Sequence, residues 1–159
     1  MPPCIDVYVW VPDWELATLT AFIDRYVDVA DPCDDRLSAF TRVYAGGVPG
    51  DADRAALADL RRDPSDEGVS LYVRSPAYYG AIITVTRERV LVLGVSLDDP
   101  DGSAEVLAQA GEVLTTLREE FRAPAGCAGV ELAPAHSRQE WEGDALVQIR
   151  VGTLPARQP

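Results

Sequence analysis

Ile5, Val7, Val9 and Val11 alternate with Asp6, Tyr8 and Trp10. A period of two places the aliphatic set on one face of a strand, turned inward, and the aromatic and acidic set on the other. Pro12 ends the run and Asp13 is positioned to cap a helix. Leu16, Leu19, Ile23, Tyr26 and Val27 then recur at three- and four-residue spacing, which predicts a helix over 14–29. Asp31 to Asp35, with Pro32, break it. Phe40 to Ala45 reads as a second strand, closed by the turn-rich residues 45–50. Asp51 or Asp53 caps a short helix through Leu57 and Leu60, which Pro64 to Gly68 stop.

Three strand-like runs follow, 69–75, 80–86 and 90–97, and the last two flank Arg87-Glu88-Arg89 as a hairpin. Val106, Leu107, Ala110, Val113, Leu114, Leu117 and Phe121 then form one stripe of a helix over 103–122, with Ser103 as N-cap and Pro124 and Gly126 ending it. Two more alternating runs, 128–133 and 144–151, complete the pattern. Strands dominate and helices are inserted singly. This predicts a single two-layer α+β domain over 1–152, a mostly antiparallel sheet with about three helices packed on one face. A flexible C-terminal tail over 153–159 completes the expectation.

Composition agrees with one domain. The chain has 159 residues, 47% of them hydrophobic and 25% charged. At this length a folded chain buries roughly 68–70% of its unfolded surface, so no disulfide or metal staple is required. Charge changes the picture more: 26 acids against 14 bases give a net charge of −12. Every base is an arginine, and the chain contains no lysine and no asparagine. Without lysine, Schiff-base chemistry, the P-loop and the kinase signature are excluded. Without asparagine there is no N-glycosylation acceptor. His136 is the only histidine, so multi-histidine zinc sites and the HExxH helix are excluded as well. The nearest string to a nucleophile elbow, Gly94-Val95-Ser96-Leu97-Asp98, fails at its last position.

Cys4, Cys33 and Cys127 are odd in number and widely spaced, which suits neither a disulfide framework nor a zinc ribbon. The first residues lack a basic region, and no apolar run approaches the roughly 18 residues of a membrane-spanning helix. A cytoplasmic protein with reduced thiols is expected, with no metal, no cofactor and no membrane partner.

The acids cluster. Asp31, Asp34 and Asp35 follow Asp24 and Asp28, and Asp98, Asp99 and Asp101 with Glu105 precede the long helix. Each cluster is a candidate cation site or docking face for a basic partner. The second is not a calcium loop: with Gly102 at loop position six, Leu97 and Ala108 fall where carboxylates are required. Its alternative reading is a solvated turn whose acids favour the helix N-terminus.

Tyr8 and Trp10 project from the first strand opposite its aliphatic set, beside Asp6. Tyr72 and Arg74 alternate in the same way against Val69, Leu71 and Val73, with Tyr78 and Tyr79 in the next turn. If these faces coincide, the sheet presents a Tyr/Trp/Arg patch of the kind enriched at binding hot spots. The other reading is that helices cover this face and the aromatics are core. Cys127 and His136 are the only nearby nucleophile–base pair, but an extended chain between them would hold them about 25–30 Å apart. A buried, inert Cys127 and a surface His136 are expected. Glu140, Glu142 and Asp144 near Trp141 offer paired carboxylates, and a polar loop explains them as well. The negative field disfavours direct nucleic-acid contact and speeds encounter with a basic protein.

The stretch Ile82 to Asp99, ITVTRERVLVLGVSLDD in its run from Ile83, leads directly into the amphipathic helix. Over residues 80–122 this hairpin, acidic turn and helix resembles small acidic immunity proteins of bacterial polymorphic-toxin systems. The resemblance implies a protein that binds and blocks a basic toxin through acidic and aromatic surface residues; it carries over no individual binding residue.

Two function classes follow. The first is a non-catalytic acidic module that binds a basic protein, with Asp31, Asp34, Asp35, Asp98, Asp99, Asp101, Tyr8 and Trp10 as contact residues. The second is a small enzyme or small-molecule binder with Asp6, Tyr72, Arg74, Tyr78 and Tyr79 in a sheet-face pocket. Exposed strand edges would also permit self-association.

Overall fold

The alternating first run forms β1 (Cys4–Val11), and everything else is arranged around it. The computed structural model describes residues 3–44, 46–62, 65 and 67–156. β1 pairs antiparallel with β4 (Leu91–Asp98) on one side and β5 (Ala125–Val130) on the other. Outside β4 lie β3 (Gly80–Val85) and then β2 (Val69–Val73); outside β5 lies β6 (Ile149–Gly152). The result is a six-stranded, fully antiparallel sheet in the order β2-β3-β4-β1-β5-β6. The register Val7↔Val95 and Val7↔Ala128 stacks the aliphatic positions of neighbouring strands on one face.

Four helices pack on that face: α1 (Leu16–Tyr26), α2 (Arg36–Tyr44), α3 (Asp51–Ala58) and α4 (Ala104–Phe121). Leu19, Phe22, Phe40, Leu57, Leu114 and Leu117 from these helices meet Ile5, Val7, Val9, Leu71, Ile83 and Leu93 from the sheet in one core. α4 is held at its start by Ser103, whose hydroxyl accepts from the Glu105 amide, and ends on Arg122 in the left-handed region. The expected α+β class and single domain hold.

Several expectations change. The run at Phe40 is helical, not extended. Its side chains at 37, 40 and 44 fall on one helical face, Phe40 is fully buried, and the Phe40 and Tyr44 rings meet at 4.8 Å. Tertiary burial here overrides local strand preference. β5 begins at Ala125 rather than 128, and the paired part of the last run is Ile149–Gly152. A fifth helix, α5 (Arg138–Gly143), forms where a polar loop was expected: Ser137 accepts from the Glu140 amide, and Trp141 is buried. It lies on the opposite face of the sheet, so the helices do not all share one side.

Thr153 to Ala156 have no regular structure, but Leu154 packs against the second cluster and Arg138 donates to the Pro155 carbonyl. Residues 157–159 of the expected flexible tail lie outside the described residues. No helix among the described residues is long and apolar enough to cross a membrane.

Candidate functional site

The second face of the sheet carries the even-numbered side chains of β1. Asp6 lies opposite Ser96 and Gly129, Tyr8 opposite Gly94 and Cys127, and Trp10 opposite Val92 and Ala125. Gly94 lets Tyr8 lie flat across β4, since a Cβ there would sit 2.4 Å from the ring. Residues 131–148 fold back over this face. The Tyr8 hydroxyl donates to the Leu132 carbonyl at 2.5 Å, and Trp10 meets Trp141 with ring centroids 5.4 Å apart. Tyr8 and Trp10 are therefore 1% and 2% exposed, which removes them from the expected contact surface. Two large rings gain more free energy under cover than they would in water, so the fold buries them.

The same segment buries His136, which was expected at the surface. Its Nε2 lies 2.6 Å from Ser70 Oγ, and Ser70 Oγ lies 2.7 Å from Thr84 Oγ1. Gly68 makes room for the ring: a Cβ there would sit 2.5 Å from His136 Cβ. This serine–histidine pair was invisible in the sequence because 66 positions separate the partners. Ser70 is 5% and His136 3% exposed, so both lie beneath the covering segment, and the pair ties the cover to the sheet. Cys127 is buried too, and burial pushes its thiol up to about 12, far from the thiolate a nucleophile needs.

The cover stops short of one end of the sheet. There a cleft of about 270 Å³ opens over Asp6, with Tyr72 and Tyr79 on one side and Glu131 and Leu132 on the other. Asp6 is buried, and Ser96 Oγ donates to its Oδ1 at 2.5 Å. Burial raises its carboxyl to about 6; the Glu131 charge adds to this, while the hydrogen bonds from Ser96 and the Leu132 backbone work against it. Tyr72 is 58% and Tyr79 50% exposed. Glu131 sits in the left-handed region at φ +50°, and its Oε1 accepts from the Cys4 amide at 2.9 Å. Burial raises the Cys4 thiol, and the carboxylates of Asp6, Glu131 and Asp98 raise it further, which marks the local field as negative.

Three of the five residues expected for a sheet-face pocket thus converge: Asp6, Tyr72 and Tyr79. Arg74 does not join them; its guanidinium binds Asp31 at 2.6 Å and reaches Cys33 Sγ at 3.4 Å beyond the β2 edge. Tyr78 lies on the helical face, its ring 6.1 Å from that of Tyr26. Glu131 and Ser96 were missed, because only strand register brings them to Asp6.

The acidic clusters divide as well. Asp99 is 4% exposed, and its Oδ1 accepts from the Ser103 amide at 2.8 Å, so it is a turn-forming group and not a contact residue. Asp34 is engaged by Arg36 at 2.7 Å, which holds its carboxyl below the usual range. Asp31, Asp35, Asp98 and Asp101 remain exposed. The Asp28 amide donates to the Arg74 carbonyl and the Arg74 amide donates to Pro32, which brings the 28–32 segment to the end of β2. By register that is also the end at which Asp6, Ser96, Asp98 and Glu131 lie.

Two larger hollows, about 710 and 700 Å³, flank Pro155. Two of the carboxylates on their walls are engaged, since Glu120 accepts from Tyr26 and pairs with Arg25 and Glu88 accepts from the Arg138 amide; Asp13 also lines both hollows and Glu15 the first. Among the described residues no group of three His, Cys, Asp or Glu converges to hold a metal ion. No family model, no curated protein and no solved structure matches the chain.

Proposed function

We propose that this chain is a non-catalytic binding protein that holds a basic protein through the acidic end of its sheet. The observation that carries the reading is the convergence of Asp6, Glu131, Tyr72 and Tyr79 in one open cleft, with Asp28, Asp31 and Asp98 at the same end of the sheet. A net charge of −12 extends the attraction to longer range and speeds encounter. The resemblance of residues 80–122 to immunity proteins points the same way, to an inhibitor of a basic toxin.

The test uses the whole protein as bait in an extract of its source cells, washed at low and at high salt. A basic protein retained at low salt and shed at high salt is expected, and reversal of the exposed Asp31, Asp35, Asp98 and Asp101 to arginine should abolish its capture. Capture that ignores both salt and charge reversal overturns the reading.

One observation favours a second reading. A concave cleft with a buried carboxylate raised to about 6 is also what a small enzyme or small-molecule binder would use. The cleft volume falls below the roughly 300–1,000 Å³ of ordinary ligand pockets, and Arg74 lies outside it, so we place this reading second. A metabolite screen by thermal shift, in which a small molecule stabilises wild type and not Asp6→Asn, would reverse the order.

A further inference from the structure

We propose that the Asp6 cleft is the receptor for one guanidinium group, the arginine side chain of a basic protein partner, with Tyr72 and Tyr79 as its aromatic walls and Glu131 at its rim. This inference rests on the binding reading above and names what its site recognises.

Asp6 forms the floor of the cleft. The groups that hydrogen-bond its carboxylate, the Ser96 hydroxyl and the Leu132 amide, are both neutral. A carboxylate has about four acceptor positions, so two remain for donors entering from the cleft. A buried charge held only by neutral donors carries a desolvation penalty that an entering cation relieves. Glu131 and Asp98 deepen the negative field at the same place, as their effect on the Cys4 thiol records. Arg62, the cation whose charge reaches Tyr72, is itself bound to Glu140 at 2.8 Å and does not fill the cleft.

The walls select among cations. Tyr72 and Tyr79 are half-exposed rings on the lining, and a planar guanidinium stacks on such faces while its N–H fork reaches a carboxylate. An ammonium is more strongly hydrated and offers no planar fork. A volume of about 270 Å³ suits a single side chain rather than a whole metabolite. The partner's charge complements the −12 of this chain.

The test is an NMR titration of the isotopically labelled full chain with the peptide acetyl-Gly-Arg-Gly-amide and its lysine and citrulline counterparts. The arginine peptide should give saturable shifts at Asp6, Tyr72, Tyr79, Ser96 and Leu132. Lysine should bind several-fold more weakly, and citrulline, which keeps the shape and loses the charge, should not bind. Asp6→Asn, near-isosteric and still able to accept from Ser96, should weaken arginine-peptide binding by roughly tenfold. Tyr72→Ala, at an exposed position that the fold does not need, should weaken it by about two- to fivefold. Equal binding of citrulline, shifts confined to other surfaces, no binding of any peptide, or full binding by Asp6→Asn with a native spectrum would each overturn the inference. Its failure is separable from that of the broader reading. If charge reversal of the exposed aspartates abolishes capture of the basic protein while Asp6→Asn does not, the cleft falls and the acidic binding module stands.

Discussion

The two faces of the sheet are built from the same strands and are covered in different ways. On the first, four helices lay Leu19, Phe22, Phe40, Leu114 and Leu117 onto aliphatic positions of the sheet. On the second, an irregular segment with one short helix covers Trp10 and Tyr8 through Trp141 and Leu132 and leaves a cleft over Asp6. The first face is held by apolar packing. The second is pinned by directional polar contacts, among them Tyr8 to Leu132, Ser70 to His136 and Arg87 to His136. Apolar packing is non-directional and seals whatever it can reach, whereas polar pins hold a cover in place without requiring that it extend across the whole face. That difference leaves room for the cleft over Asp6 on the second face.

The helical face carries the largest single contribution. Phe22→Ala removes a fully buried ring from the helical face and should cost about 3–5 kcal/mol in urea unfolding. A cost near zero would mean that this face is not the stabilising one.

The next effect belongs to Asp6. Its folded carboxyl is raised to about 6 from 3.8, so the folded state binds the proton more tightly than the unfolded chain. Stability from this group is therefore greatest below pH 3.8, falls as pH rises through the window to about 6, and is constant above it, a loss of up to about 3 kcal/mol. Asp6→Asn lacks this titration, so its stability relative to wild type should rise across that window. Cys4, Tyr8, Tyr72, Tyr79, Glu131, Asp98 and Arg62 also face or influence the cleft, and the subtraction of variant from wild type isolates Asp6 from them. A flat difference from pH 4 to 7 would contradict the buried carboxylate.

The smallest effect sharpens the contrast between packing and pinning. Tyr8→Phe keeps the ring and deletes the bond to Leu132, leaving a buried carbonyl without that donor, at a cost of about 1–2 kcal/mol. Hydrogen exchange should quicken in residues 131–148 and not in α4. Uniform acceleration through both would show that the cover and the helical face unfold as one unit.

Local pattern carried much of the fold. The alternation in β1, the hairpin of β3 and β4 and the stripe of α4 appear within a residue or two of where periodicity places them, because each pattern reports which side chains share a face. The absence of lysine and the single histidine likewise limited the chemistry without any structure. Periodicity does not report what a face will meet. Phe40 became helical because the core beside α3 and β2 received it, and Asp99 turned inward because the Ser103 amide needed an acceptor. The aromatic face of β1 was covered by a segment more than 120 positions away, whose short helix has too few apolar residues to declare itself. The cleft is the sharpest case: Asp6, Tyr72, Ser96 and Glu131 sit on four separate stretches of chain, and strand register alone makes them neighbours. Composition and period determined the elements and the excluded chemistries; the long-range pairing of strands decided which polar groups meet, since that information resides in no local window.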